Sequence, residues 1–249
     1  MDLLEQLKRS FAITKKNIKI YYSKGPVIIF GLIFPLFLFL AYTIGRNIPL
    51  KELMPGLISM TVFFTSTSVG PSIIPWETRS KTLERLVCCP ISFWAILLGD
   101  MFSSFIFGVA ISIIPVMFTL ALNVEALNLI ILIFSLVLAA LCFAALSILL
   151  SSYPPTDIPA TVMMISSLVK FPLVFISGIF IPIEQMPTWG RILAFISPLT
   201  YFTDISRHLI LNAGYFPIAL DILVIAIFTL LFSITAIKIH EETLPKRIS

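Results

Sequence analysis

Few residues in this chain are of a type that does covalent chemistry, and their spacing argues against it. The 249 residues include two histidines and three cysteines. His240-Glu241-Glu242 lacks the second histidine, four residues on, that a zinc-protease helix needs. No G-x-x-x-x-G-K-[ST] run exists to cradle nucleotide phosphates. Gly99-Asp100 supplies half of an intramembrane aspartyl protease site, yet no second Asp stands in a comparable context. Ser177-Gly178 follows Phe175-Ile176, so the G-x-S-G run of a membrane serine protease is missing. Cys88, Cys89 and Cys142 form neither a disulfide framework nor a metal spacing. The chain is therefore expected to hold no catalytic, cofactor-binding or metal-binding residues of its own.

Two stretches suit recognition better than catalysis. The first runs from Trp76 to Pro90. Thr82, Leu83, Leu86 and Val87 make an apolar stripe, with Arg79, Lys81, Glu84 and Arg85 charged around it. Pro90 stops the helix from continuing unchanged. Such a short amphipathic helix either docks in a partner's groove, apolar anchors inward and charges at the rim, or merely turns the chain. The second stretch runs from Ser177-Gly178 through Pro182 and Pro187 to Ser197-Pro198-Leu199-Thr200-Tyr201 and Arg207. Its prolines break the backbone where an apolar run ends, and Trp189 and Tyr201 suit the headgroup level. Non-helical backbone at membrane depth must be sheltered by protein or line a watery cavity. The alternative is an ordinary loop anchored by aromatics. Lys170 stands apart, near the middle of an apolar run where a cation costs roughly 2.5–3.5 kcal/mol on insertion scales. It reads either as a contact for an anionic substrate or headgroup in a substrate pathway, or as half of a structural ion pair with Asp100 or Asp221.

The elements that carry these stretches are membrane helices. The composition is 58% hydrophobic and 12% charged, with 22 Phe and a mean hydropathy of +1.04. Soluble domains carry about 25% charged residues, so a water-soluble fold is excluded. A span needs about 20 apolar residues. Six runs qualify: Pro26–Gly45, Leu53–Pro75, Phe93–Leu122, Leu127–Leu150, Ile158–Ile181 and Pro217–Ile237. The third is too long for one straight span, with Asp100 and Pro115 as candidate bends. Pro182–Asn212 is apolar but broken, and reads as short, partly re-entrant helices. The expected fold is all-α and integral to the membrane, with six transmembrane helices.

Charge sets the orientation. Twelve of the 17 Lys and Arg fall in segments on the N-terminal side of the membrane, four on the other side, and Lys170 within a span. The positive-inside rule then places both termini in the cytoplasm, and the net charge of +4 is no nucleic-acid signal. Residues 1–25 have no signal-peptide cleavage pattern. They read as an amphipathic helix on the membrane surface, with Leu4, Leu7, Phe11, Thr14, Ile18 and Tyr22 on its lipid face. That helix is either an orientation anchor or a lever joining a cytoplasmic partner to the first span. Residues 26–238 form the six-span domain and 239–249 a cytoplasmic tail.

Together the two recognition stretches resemble the ABC type-2 permease family, the membrane subunits of ATP-binding-cassette exporters. In that family the loop after span two commonly reads E-x-x-x-G-T-L-E-x-L-x-x-x-P. Glu77, Thr82, Leu83, Glu84, Leu86 and Pro90 match it in spacing. The later pattern, S-G-x-x-x-P-x-x-x-x-P followed by P-L-T-Y and an Arg six residues on, matches at Ser177, Gly178, Pro182, Pro187, Pro198, Leu199, Thr200, Tyr201 and Arg207. Two departures stand out: Lys81 where the family usually has Gly, and Asp100 where it often has Lys or a small residue. The resemblance implies a cell-membrane permease exporting a drug-, lipid- or polysaccharide-like substrate. ATP and Mg would be handled by separate ABC ATPase subunits, with a second permease copy or paralogue beside this chain. Thr82–Val87 would dock on the ATPase, with Glu77, Glu84 and Arg85 at the rim, while the proline-broken stretch forms the outer closure. A scaffold or channel subunit without an ATPase is the alternative.

Overall fold

A helix that is apolar all round belongs inside, while one with an apolar outer face belongs in lipid; this chain has both. The computed structural model describes residues 3–22, 29–45, 49–120 and 125–248. Among them are eleven α-helices and no strand. In chain order these are α1 (Leu3–Asn17), widening into a π-helical turn at Ile18–Tyr22, and α2 (Phe34–Thr43), preceded by another such turn at Ile29–Ile33. Next come α3 (Leu50–Ser66), α4 (Gly70–Arg79), α5 (Thr82–Val87), α6 (Phe93–Leu120), α7 (Ala126–Ser152) and α8 (Pro159–Ile176). A 3₁₀ turn at Ile183–Gln185 leads to α9 (Thr188–Ala194), α10 (Pro198–Leu211) and α11 (Ile218–Ile248).

The helix at the centre is α3, buried on every side from Ile58 to Ser66 and packed against α6, α7 and α10. Phe63, Phe143 and Phe202 are fully buried around it, and Phe63 meets Phe143 edge-on at 5.1 Å. The opposite pattern appears on α11. Asp221, Ile225, Ala236 and His240 face inward, whereas Leu223, Ile227, Leu230 and Ile234 are 53–66% exposed. A polar outer face would be needed in water; this apolar one needs hydrocarbon.

Five stretches among the described residues are long and apolar enough to cross a bilayer: Leu50–Arg79, Phe93–Thr119, Asn128–Ser152, Pro159–Ile176 and Ile218–Pro245. The first expected span, Pro26–Gly45, falls partly outside the described residues, and what is described there includes the ten-residue apolar helix α2. Three details differ from the sequence reading. The second span is not continuous: α3 ends at Ser66 and α4 starts at Gly70, with Pro71 in the first turn of α4, where a missing N–H costs nothing. The third is one unbroken helix through Asp100 and Pro115, and the Asp100 carboxylate accepts from the Asn17 amide inside the protein. Residues 239–248 also continue α11 as helix.

Candidate functional site

At one end of the bundle α1 lies against the start of α6. Its inward stripe is polar: Gln6, Ser10, Thr14 and Asn17 are buried with Ile13, recurring at the helical period. Gln6 Oε1 accepts from the Ser92 N–H (2.8 Å) and hydroxyl (3.0 Å), just where α6 begins. The Thr14 hydroxyl donates to the Gly99 carbonyl at 3.0 Å, and the Asn17 amide donates to Asp100 Oδ1 at 2.6 Å. Glycine at 99 permits this approach: a Cβ there would stand 2.6 Å from Ile13 Cβ and 2.8 Å from the Ser10 carbonyl. Lys16 pairs with Glu77 of α4, whose side chain is 1% exposed. The outward side of α1 keeps Leu4 and Phe11 exposed as expected, but Thr14 and Tyr22 of the expected lipid face are buried. Tyr22 meets the Ser104 hydroxyl at 2.6 Å.

Helix α5 hangs from the end of α4. Lys81 links them at φ 54°, ψ 22°, the left-handed region that favours glycine. A glycine at this position would adopt that backbone without strain. The Ser80 hydroxyl lies 2.9 Å from that of Thr82, which donates to the Glu77 carbonyl at 3.2 Å. Leu83 is fully buried in a cluster with Ile74, Leu97, Met101, Ala144, Ile148 and Ala236. The apolar stripe thus turns into the chain's own bundle, with Thr82, Leu86 and Val87 half-buried. Glu84, Arg85, Cys88, Cys89 and Pro90 face outward. Glu77 is not at the rim of this helix: it is enclosed beneath it, held by Lys16.

The opposite end holds the proline-broken stretch, and its side chains bond the backbone that the prolines free. Ser177 is buried, its hydroxyl donating to the Val174 carbonyl at 2.9 Å as α8 ends. Gly178 follows at φ 78°, which only glycine adopts without strain. Arg207 donates to the carbonyls of Gly178 (2.9 Å) and Ile179 (3.2 Å). Desolvation lowers the pKa of that guanidinium, and Asp204, Glu184 and Glu52 push it back up. Pro182 precedes the 3₁₀ turn, Pro187 precedes α9 and Pro198 opens α10. Thr200 donates to the Ala194 carbonyl (2.6 Å) and Tyr201 to that of Phe195 (2.8 Å), while Leu199 is in the core. Asp204 accepts from the Tyr215 and Phe216 N–H groups at 2.8–3.0 Å. Backbone carbonyls in an apolar setting are thus satisfied from within.

Lys170 joins neither group. It is 5% exposed and donates to the Thr67 carbonyl at 3.1 Å, where α3 ends. Among the described residues it makes no ion pair, so neither Asp100 nor Asp221 is its partner. The last turns of α11 cap α7 in a similar way. His240 Nε2 lies 2.9 Å from the Ser151 hydroxyl, and Arg247 donates to the Ser151 carbonyl at 2.8 Å. Burial lowers the pKa of Arg247 to about 10.

The expected coupling residues come together at one end and the expected closure residues at the other. Sequence reasoning missed Lys16, Asn17 and Gln6 as the ties that hold α1. The 3.6-residue recurrence of small polar residues along α1 was the available signal.

Continuous apolar helices with lipid-facing outer surfaces, buried polar ties at one end and a self-satisfied broken backbone at the other define an all-α, multi-pass integral membrane protein. The ABC-2 type transporter family model matches residues 8–211. The chain belongs to the ABC-2 type transporter family. Over 165 residues, 64% of this chain and 43% of the relative, it is 26% identical to the probable multidrug ABC transporter permease YbhR of Escherichia coli (strain K12). Over 197 residues, 76% of this chain and 65% of the relative, it is 28% identical to the putative transport permease ycf38 of Cyanophora paradoxa. The match thus spans less than half of the first relative's length and just under two thirds of the second's.

Proposed function

We propose that this chain is the permease subunit of an ATP-binding-cassette exporter, driven by separate ATPase subunits that bind ATP and Mg. Two permease halves, copies or paralogues, complete the assembly in the cell membrane, with both termini cytoplasmic. The multidrug designation of the first relative supports a drug-like substrate over a lipid or polysaccharide. The observation that carries the reading is α5. Its outer face offers Glu84 and Arg85 to a partner, while Leu83 keys its inner face into α4, α6, α7 and α11. A displacement imposed on α5 therefore reaches the spans through packed side chains, as a partner with two states of different affinity for two permease conformations requires. In this reading Thr82, Leu86, Pro90 and Glu77 hold the helix, and Glu84 and Arg85 touch the ATPase. Ser177, Gly178, Pro182, Pro187, Pro198, Tyr201 and Arg207 shape the outer closure.

The test is Glu84→Arg in the complex co-purified with its ATPase. The expected result is normal insertion, lost transport and ATP turnover that no longer responds to the permease. Normal transport by the variant removes Glu84 from the coupling role, and absence of any co-purifying ATPase overturns the exporter reading. We further propose that Lys170 fixes the α3–α4 break and does not contact substrate, since a cation at a helix C-terminus is stabilised by the free carbonyls there. Lys170→Met should then lower stability. A stable Lys170→Met variant that inserts but fails to transport would instead place Lys170 in the substrate pathway.

A further inference from the structure

A cavity of about 540 Å³ opens at the end opposite α5, between α2, α3 and the α8–α10 connection. That volume lies within the roughly 300–1,000 Å³ of drug-sized ligand sites. We propose that it binds an organic cation with an aromatic-sized apolar body. Four aromatic side chains line it, Phe39, Tyr42, Phe180 and Tyr215; Phe39 and Phe180 stack on each other at 5.6 Å, and Tyr215 is 40% exposed. A ring whose face is open to the cavity attracts a cation through its quadrupole.

The charges of the lining point the same way. Arg207 and Asp204 are both spent in the wall, the first on the Gly178 and Ile179 carbonyls and the second on the Tyr215 and Phe216 N–H groups. Their opposite charges offset each other. Glu52 and Glu184 also line the cavity, are exposed, and have no ion-pair partner among the described residues. Arg191 lies outside the lining and donates to the backbone carbonyls of Glu184 and Met186, keeping its charge but making no ion pair with the Glu184 carboxylate. The lining carries three carboxylates, Glu52, Glu184 and Asp204, against the one guanidinium of Arg207 on which all three act, so the net charge met by a ligand there is negative. A cation with an apolar body meets the excess negative charge and the aromatic side chains of the lining together.

This binding stands apart from the exporter reading, because it is measured on the chain alone, without an ATPase. The experiment is equilibrium dialysis of tetraphenylphosphonium against the purified chain in neutral-lipid nanodiscs, with empty nanodiscs subtracted. Tetraphenylborate, of the same shape and opposite charge, is the comparison. Saturable binding of the cation and none of the anion is expected. Glu52→Gln and Glu184→Gln, both at exposed positions that leave the fold intact, should each weaken binding by about fivefold. Tyr215→Ala should weaken it about two- to fivefold. Equal binding of the two probes, no saturable cation binding, or full affinity in the Glu52→Gln/Glu184→Gln double variant would each overturn the proposal. Loss of transport in a complex whose permease still binds the cation would count against the exporter reading alone.

Discussion

Removing Lys16 should harm this protein more than removing Glu77, although the two form one ion pair. Glu77 is 1% exposed, its Oε2 has no hydrogen-bond partner, and Asp100 is near enough to act on it electrostatically. Lys16 is 28% exposed and reaches the surface. Lys16→Met leaves a buried carboxylate without its cation, close to a second acid, which costs about 3 kcal/mol. Glu77→Gln removes the buried charge and keeps the shape, while Lys16 turns to water, for about 1 kcal/mol. The double variant has neither charge to bury and should also cost about 1 kcal/mol. The coupling between the sites is then about 3 kcal/mol, close to the whole effect of Lys16→Met.

The assay is a double-mutant cycle of unfolding free energies for the purified chain in mixed micelles. Hydrogen exchange at the α1 amides reads the local consequence, since α1 should open in Lys16→Met before the spans unfold. Equal and additive costs of the two single variants would refute the reasoning. They would mean that water screens the pair and that α1 is held by its other ties alone.

Other perturbations test separate parts of the fold. Lys81→Gly should stabilise the chain by about 1 kcal/mol by relieving the left-handed backbone, and Lys81→Ala should not; thermal midpoints of the three proteins decide. Gly178→Ala should cost about 1–2 kcal/mol, because φ 78° is strained for any side chain and the new Cβ would stand 3.3 Å from Ile183. Its midpoint falling no further than that of Gly190→Ala, whose Cβ meets nothing nearer than 3.5 Å, would contradict this. Arg207→Met leaves two carbonyls unpaired and should cost about 2–3 kcal/mol, with partial rescue by Arg207→Lys. Measuring the unfolding of all three proteins checks that order.

Hydropathy and charge made the membrane class and most spans legible, because a helix in lipid must be apolar over a length that the bilayer sets. The broken stretch after α8 was legible for a similar reason, since Pro182, Pro187 and Pro198 cannot continue a helix. The break between α3 and α4 was signalled by Gly70-Pro71 but lay inside an apolar run that read equally well as one span. The partner of Lys170 was not legible at all. Side-chain patterns suggest carboxylates for a buried cation, whereas the partner is the Thr67 carbonyl, exposed only because α3 stops there. The inward face of α1 was hidden differently. Gln6, Ser10 and Asn17 look like solvated positions, and Thr14 like part of the lipid face, until Gly99 and Asp100 are known to lie beneath them.

The geometry of α5 changes what a match to the E-x-x-x-G-T-L-E-x-L pattern means. Glu77 anchors α1, position 81 makes the left-handed turn, the Thr82 hydroxyl holds the Glu77 carbonyl, and Leu83 plugs the bundle. Four positions of the pattern are thus spent on building and suspending the helix from its own protein. What a partner can touch is a smaller set: Lys81, Glu84, Arg85 and the Cys88-Cys89 edge. On the exporter reading proposed above, partner choice resides in the second set, to which position 81 contributes its side chain while its backbone makes the turn. Exchanging Lys81, Glu84 and Arg85 for the corresponding residues of a relative should therefore transfer ATPase preference, whereas exchanging Glu77 or Leu83 should only weaken the fold.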